Sequence, residues 1–222
     1  MAEIQIKNLG LVSYDNAMEI MEDLHAERIR GVGVDTLLVL EHFPVITKGR
    51  RLIDVKIPNE DTIAARGIQI RQADRGGLLT YHGPGQIVLY FILKLEDYFD
   101  GVSGMVTMIE KTLQGFLATK GVSAEIVKDH PGLWVNGFKI ASLGLRVSQG
   151  VTKHGLSLNL MNDLVVYNLF DPCGMSGQSM TNFEKVTGHS LELKDFHTLE
   201  WQLVHSFQHE LQDSLIRQKL IA

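Results

Sequence analysis

Two side chains in this sequence, an amine and a thiol, are of reactive types in positions where neither is common. Lys139 lies in a strand-like segment, 138–147, whose other residues are mostly apolar. Cys173 is the only cysteine of the chain and stands in the turn FDPCGMSG, 170–177. A nearby ammonium group favours the thiolate, which is the nucleophilic form of cysteine. The pattern alone leaves ordinary interpretations open, because a lysine beside a turn can reach water and most free cysteines are small buried side chains.

The pair Asn136-Gly137 between two strand-like runs predicts a two-residue β-hairpin turn. Trp134 would then lie opposite Lys139. Side chains alternate along a strand, so we expect Lys139 to share a face with Ala141, Leu143 and Leu145. If that face packs on the core, burial lowers the pKa of the lysine and makes its neutral form accessible.

The segment RGGLLTYHGPGQ, from Arg75 to Gln86, has the composition of a binding loop. Its four glycines would let the backbone approach a ligand closely, and Arg75 and His82 offer polar contacts. Twelve residues exceed what a simple hairpin turn needs. We therefore predict a loop between strands that binds a ligand.

The segment TKHGLSLNL, 152–160, alternates as a strand does. The alternation places its larger side chains on one face, which are His154, Leu156, Leu158 and Leu160. Gly155 and Ser157 would lie on the opposite face, where small residues leave room for a flat or narrow ligand. Plain sheet packing would give the same pattern.

The elements that must position these residues indicate one α+β domain over residues 1–222. Apolar periodicity predicts helices at 15–30, 102–120 and 199–215, with Ser13 as the cap of the first. Strand-like segments lie at 4–9, 36–40, 69–74, 87–95, 124–127, 132–135, 138–147 and 151–160. Helices toward both ends and a strand-rich middle argue against repeated parallel βαβ units.

Composition excludes several classes of protein. A formal net charge of −5 argues against general nucleic-acid binding, which calls for a basic excess. No run of 18 apolar residues predicts a membrane span, and the first residues lack the pattern of a signal peptide. One cysteine suits a reducing compartment, so we expect a cytoplasmic protein with neither nucleic acid nor membrane as a partner.

Cofactor motifs are absent from the sequence. There is no G-x-G-x-x-G and no P-loop, and the pair His205 and His209 has no evident third ligand. We therefore expect no cofactor and no metal site. The basic run from Lys48 to Arg51 is typical of a solvated loop, although it could contact an acidic partner.

Four motifs, taken in order, resemble the octanoyltransferases of lipoate biosynthesis (octanoyl-acyl-carrier-protein:protein octanoyltransferases, the lipoate–protein transferase B family). They are RGGLLTYHGPGQIVLY, PGLWVNGFKIASLGLRV, TKHGLSLNL and DPCG, and EHFPVITKGR precedes them. The resemblance extends from Glu41 to Gly177. It implies an α+β catalytic domain with mixed, mainly antiparallel sheets flanked by helices, related to the catalytic domains of biotin and lipoate protein ligases.

The resemblance also implies a reaction, the first step of endogenous lipoate biosynthesis. Octanoyl-acyl carrier protein donates the acyl group through a cysteine thioester. The acceptor is a lysine of lipoyl domains, those of 2-oxoacid dehydrogenase complexes and of the glycine cleavage H protein. Cys173 matches the acyl-accepting nucleophile, and Lys139 matches the lysine that lowers the thiol pKa and exchanges protons.

The same resemblance implies an acyl pocket from three segments of the chain. Its residues are Arg75, Gly76, Gly77, Leu78, Leu79, Thr80, Tyr81, His82, Ser142, Leu143, Gly144, Gly155, Leu156 and Ser157. The chain departs from the family pattern at Phe43, where proline is common, and at Ser157, where alanine is common. The added hydroxyl of Ser157 could affect the preferred chain length.

Three alternatives remain open. A lipoate or octanoate ligase of the same fold would activate a free acid with ATP. A cysteine enzyme could instead move octanoyl between two lipoyl domains, or the chain could be a non-catalytic binding module. The segments TYHGPGQ and PCG favour transfer from a thioester.

Overall fold

The structure is a computed structural model that describes residues 4–52, 56–172 and 179–221. Within these ranges the α-helices are α1 (Tyr14–Ile29), α2 (Glu60–Ala65), α3 (Val102–Thr119), α4 (Phe183–Thr187) and α5 (Leu193–Ile221). The three predicted helices are confirmed as α1, α3 and α5, and α5 is longer than its apolar period indicated. Ser13 caps α1 as predicted, because its Oγ accepts a hydrogen bond from the backbone N–H of Asn16 at 3.3 Å.

Ten strands occur in the described part of the chain. They are β1 (Gln5–Val12), β2 (Thr36–His42), β3 (Val45–Lys48), β4 (Gln69–Gln72), β5 (Leu79–His82), β6 (Gln86–Ile92), β7 (Glu125–Ile126), β8 (Gly132–Val135), β9 (Phe138–Ser148) and β10 (Val151–Asn159). Seven of them form one sheet in the order β1-β2-β6-β10-β9-β8-β7, and three form a second sheet in the order β4-β3-β5. In the large sheet β1 and β2 are parallel and the other neighbours are antiparallel. The predicted α+β fold with mixed, mainly antiparallel sheets is confirmed.

The second sheet corrects one prediction. The segment 75–86 is not a loop throughout, since its middle part forms β5 and pairs antiparallel with β3. All four residues of β5 are buried. A four-residue strand is too short to show a period of its own, so the flanking glycines concealed it.

Two layers of helices cover the large sheet. On one face, α3 and α5 enclose the main apolar core, where the rings of Phe91 and Phe207 lie 5.4 Å apart. On the other face, α1 packs Met21 against β2 and β6. Because both faces are covered, β6 is buried over its whole length, which explains its continuous apolar run. The second sheet has a separate apolar core with α2.

Candidate active site

A narrow pocket with a cavity volume of about 40 Å³ lies where the second sheet and α1 meet strands β6, β9 and β10 of the large sheet. Its walls combine glycine and serine backbone with a few large polar side chains. The lining residues are Tyr14, Arg75, Gly77, Thr80, His82, Tyr90, Ser142, Leu143, Gly144, His154, Gly155, Leu156 and Ser157.

The structure brings together around this pocket ten of the fourteen residues predicted for acyl binding. The other four are Gly76, Leu78, Leu79 and Tyr81. Leu79 and Tyr81 belong to the second core instead, because β5 alternates and directs only Thr80 and His82 toward the pocket. The run 75–82 was predicted as one continuous wall, and the strand within it accounts for the difference.

Arg75 supports the glycine loop from inside. The side chain is 8% exposed, and its guanidinium donates to the carbonyl oxygens of Gly76 at 2.9 Å, Thr47 at 2.8 Å and Leu78 at 3.0 Å. A planar group with five donors suits this task, because it can satisfy several carbonyls of a tight turn at once. These bonds hold Gly76 and Leu78 near Thr47 of β3.

Lys139 reaches the pocket side of the sheet through a β-bulge. The predicted hairpin is confirmed, since Trp134 pairs with Lys139 around a turn in which Asn136 and Gly137 have φ of 50° and 79°. The pairing then shifts by one residue, so that Leu133 lies opposite Ala141 and Ile140 is the extra residue.

The bulge overturns the predicted face of Lys139. Cross-strand neighbours share a face, so Lys139 lies with Trp134, whereas Ala141 lies with Leu133 in the main core. Gly132 is two residues from Trp134 and opposite Ser142, so Lys139 and the pocket residue Ser142 occupy one face. An extra residue reverses the alternation beyond it, and the apolar pattern of the sequence does not indicate where such a residue lies.

The surroundings of Lys139 are crowded. Its side chain is 3% exposed, and its Nζ lies 5.3 Å from the centroid of the Trp134 ring. A Cβ at Gly132 would overlap the carbonyl oxygen of Ala141 and stand 3.0 Å from Lys139 Cε, so glycine is required beside the lysine. The backbone of Lys139 bridges to Met180, and its carbonyl accepts a hydrogen bond from Thr181 N at 2.9 Å.

The predicted nucleophile, Cys173, lies outside the described residues, with the rest of 173–178. Pro172 precedes this segment, and the described chain resumes at Ser179. Met180, which bridges to Lys139, is seven residues after Cys173. The structure therefore leaves the pairing of the amine and the thiol as a prediction.

Charged and aromatic groups surround the pocket near His154, which lines it. His154 donates from Nε2 to Asp74 Oδ1 at 2.5 Å, and Lys153 Nζ lies 2.7 Å from Asp74 Oδ2. Burial lowers the pKa of His154 in spite of the adjacent carboxylate. Burial also opposes the charged form of Asp74, but the bonds from His154 and Lys153 outweigh it and hold the pKa of that carboxyl well below its usual range.

The position of His154 also differs from the prediction. His154 does not share a face with Leu156, Leu158 and Leu160, which lie in the main core. Its ring lies 5.7 Å from that of Tyr90, on the side covered by α1. The reason is a left-handed backbone, with φ of 59°, which interrupts the alternation at this residue.

Two other histidines, His42 and His82, are buried in the same region, and hydrogen bonds fix the tautomer of His42. His42 Nδ1 lies 3.3 Å from the carbonyl oxygen of Val12 and must donate to it, so His42 Nε2 accepts from the Tyr90 hydroxyl at 2.8 Å. Burial lowers the pKa of His42 to about 4. Burial likewise lowers the pKa of His82, so both rings remain neutral at pH 7.

Comparison with known proteins identifies the family. The family model of the lipoyl protein ligase A/B catalytic domain matches residues 13–202. A protein named octanoyltransferase from Alkaliphilus metalliredigens (strain QYMF) is 37% identical over 206 residues, with 92% of this chain and 93% of the relative covered. Another from Pseudomonas entomophila (strain L48) is 39% identical over 213 residues, 95% of either chain. The chain belongs to the octanoyltransferase family.

Solved structures show that this octanoyltransferase-family chain has the fold expected from the resemblance. A lipoate-protein ligase A bound with ATP superimposes with a TM-score of 0.71 over 95% of this chain and 86% of the ligase, at 13% identity. The biotin protein ligase of Aquifex aeolicus, in complex with biotin and ATP, gives a TM-score of 0.56 over 98% of this chain and 72% of the ligase, at 11% identity. The relation to lipoate and biotin ligase catalytic domains is confirmed at the level of fold.

Three lining residues of the octanoyltransferase pocket escaped the sequence prediction. Tyr14 and Tyr90 could not be recognised as pocket residues from the sequence. Tyr14 is an ordinary residue at the start of a helix, and Tyr90 is an ordinary residue of a buried strand. His154 stood in a motif but was placed on the wrong face.

In the part of the chain that the structure describes, no helix is long and apolar enough to cross a bilayer.

Proposed function

We propose that this enzyme transfers octanoyl from octanoyl-acyl carrier protein to a lysine of lipoyl domains, through a thioester on Cys173. The observation that carries the proposal is the position of Lys139, buried on the pocket face of β9 and beside the backbone that follows residues 173–178. The place of this amine, and not its burial alone, supports a role with Cys173.

The first half-reaction makes the acyl-enzyme. The Cys173 thiolate attacks the thioester carbonyl of the donor, a new carbon–sulfur bond forms, and the bond to the pantetheine sulfur breaks. The Lys139 ammonium gives its proton to the departing sulfur and becomes a neutral amine. The free thiol has a pKa of about 8.5, so an adjacent ammonium is needed to supply thiolate near neutral pH.

The second half-reaction regenerates both groups. The acceptor lysine amine attacks the acyl-enzyme carbonyl, an amide forms, and Cys173 leaves as a thiolate. The neutral Lys139 takes the proton that the attacking amine loses. An amide is more stable than a thioester, so the proposed reaction is downhill and requires neither ATP nor metal.

The pocket that includes Ser142, Gly144 and Ser157 is proposed to hold the acyl chain. Five of its thirteen lining residues are glycine or serine, which leave a narrow space that suits an unbranched chain. The proposed acceptors are the lipoyl domains of 2-oxoacid dehydrogenase complexes and the glycine cleavage H protein. We propose a cytoplasmic location, since the nucleophile must stay a reduced thiol.

Intact-mass measurement tests the proposal. The purified chain, mixed with octanoyl-acyl carrier protein, is expected to gain one octanoyl group that hydroxylamine removes. Because Cys173 is the only cysteine, Cys173→Ala should gain none. Transfer to a lipoyl domain by Cys173→Ala at the wild-type rate would contradict the assignment of the nucleophile.

The same assay separates the alternatives. Attachment of free octanoate or lipoate only when ATP is added would indicate a ligase. The likeness in fold to a lipoate-protein ligase bound with ATP is the reason to test this alternative. Loading from an octanoylated lipoyl domain, but not from acyl carrier protein, would indicate transfer between lipoyl domains.

A further inference from the structure

A chain of buried hydrogen bonds runs from the pocket to the backbone at Lys139. His82 Nδ1 lies 2.7 Å from Gln86 Oε1, and Gln86 Nε2 donates to Asn159 Oδ1 at 2.8 Å. Asn159 Nδ2 donates to the carbonyl oxygen of Thr181 at 3.0 Å, and Thr181 N donates to the carbonyl oxygen of Lys139 at 2.9 Å. Gln86 and Asn159 are 1% and 2% exposed, so water does not compete for these bonds.

Chemistry allows the amides only one orientation. Gln86 Nε2 also donates to the carbonyl of Tyr81 at 3.1 Å, so Gln86 Oε1 is the acceptor and His82 donates from Nδ1. Asn159 in turn accepts from Gln86 and donates to Thr181. The only group that Asn159 can offer to Thr181 is therefore its amide N–H.

The chain that follows residues 173–178 contacts the backbone of Lys139 at Met180 and Thr181. Met180 and Lys139 form an isolated bridge rather than part of a strand ladder. The Thr181 residue is 3% exposed, and its two backbone groups bond to Lys139 and to Asn159. Without Asn159 the buried Thr181 carbonyl would lose this partner, and a buried carbonyl without a partner is costly.

We propose that Asn159 is a positioning residue, which fixes Lys139 for proton transfer by holding the backbone of Thr181 against it. The proposal rests on the proposed function for the role of Lys139. It assigns to the end of β10 a task beyond sheet packing, and it links the pocket residue His82 to the lysine through Gln86.

The test compares two variants of β10. Asn159→Ala removes the amide that holds Thr181. Thr152→Val is the matched control, since Thr152 is fully buried in the same strand and its hydroxyl bonds only to backbone at the far end, to Phe91 O at 2.6 Å and Leu93 N at 3.0 Å. Thr152→Val removes two buried hydrogen bonds. Asn159→Ala also removes two short ones, with Gln86 and Thr181, and in addition a longer one from the Tyr167 hydroxyl at 3.4 Å.

Two measurements separate positioning from stability. In Asn159→Ala the amide proton of Thr181 should exchange about tenfold faster, after correction for the change in global stability. The pH dependence of Cys173 alkylation should show that the thiol pKa has moved toward that of a free cysteine, as it should in Lys139→Met. Octanoyl transfer should fall about tenfold. Thr152→Val should change neither Thr181 exchange nor the alkylation profile.

The outcomes test the positioning role of Asn159 and the proposed function separately. If Lys139→Met shifts the alkylation profile and Asn159→Ala leaves both the profile and Thr181 exchange at the control values, the positioning role is wrong while the proposed function stands. If Lys139→Met leaves the alkylation profile unchanged, the proposed function loses the role of its lysine. Faster Thr181 exchange with an unchanged profile would overturn the role in catalysis and leave Asn159 as a purely structural residue.

Discussion

The region around the pocket has a lysine end, at Lys139, and a histidine end, at His154. Both break the regular alternation of a β-strand, but they do so differently. At one end, the extra residue Ile140 turns Lys139 away from the face of Ala141. At the other, His154 keeps its pairing register with Leu145 and changes only its own side-chain direction, through a left-handed φ of 59°. An inserted residue moves every residue beyond it to the opposite face, whereas a left-handed residue moves one side chain.

Each end also has a buried lysine. Lys153, beside His154, has two carboxylates within reach, Glu22 Oε1 at 2.5 Å and Asp74 Oδ2 at 2.7 Å. Lys139 lies against the ring of Trp134 and the backbone near Thr181. Both lysines are buried, at 3% for Lys139 and 6% for Lys153. Burial alone therefore does not mark a reactive lysine, and the neighbours of the amine decide what it can do.

Substitution of the two lysines should give the largest contrast. Lys139→Met is expected to lower octanoyl transfer about 10³-fold, because proton transfer by a positioned group contributes about 10²–10⁴-fold. Lys153→Met removes a buried amine of the same size and should keep the rate within about threefold, with a loss of stability from its ion pairs. Steady-state transfer assays and urea unfolding measure the two effects. Equal losses of rate would mean that the contrast between the two ends is wrong.

Acid should destabilise the protein through the histidine end. The pKa of His42 is lowered by burial to about 4, so between pH 6.5 and 4 the unfolded chain binds a proton there that the folded chain does not. Stability therefore falls as the pH falls through this window, by about 3 kcal/mol from His42 alone at pH 4. His82 and His154 act in the same direction, since burial lowers the pKa of each.

Urea unfolding at several pH values checks this linkage. His42→Gln should reduce the slope of the unfolding free energy by about 1.4 kcal/mol per pH unit near pH 5, because one titrating proton is lost. Tyr90→Phe is the control, since it removes the hydroxyl that His42 accepts from and leaves the titrating ring buried. It should lower the whole curve and keep its slope. A wild-type slope in His42→Gln would contradict the prediction.

The sequence predicted the three longest helices and the strands of the large sheet, and three of the four motifs contain residues that line the pocket. The fourth motif, DPCG, extends into residues that the structure does not describe. It did not predict the faces of Lys139 and His154, because alternation is a rule for regular backbone and both residues lie at irregular backbone. The bulge depends on tertiary packing of Ile140 and Ala141 in the main core, and one apolar residue more or less leaves the local pattern intact. Strand β5 was missed because its four residues lie among glycines that indicate a turn.

The backbone of His154 provides the smallest and sharpest test of the comparison. In a regular strand, alanine is more stable than glycine by about 0.5–1 kcal/mol, whereas a left-handed backbone costs a residue with a Cβ about 1–2 kcal/mol. His154→Gly and His154→Ala both lose the contact with Asp74, so the difference between them reports the backbone alone. We expect the glycine variant to be the more stable by about 1 kcal/mol. The same pair at Thr152, whose backbone is not left-handed, should show the opposite order. If the alanine variant is the more stable one at both positions, the left-handed backbone at His154 is wrong. The histidine end would then lack the single-residue reversal that distinguishes it from the lysine end.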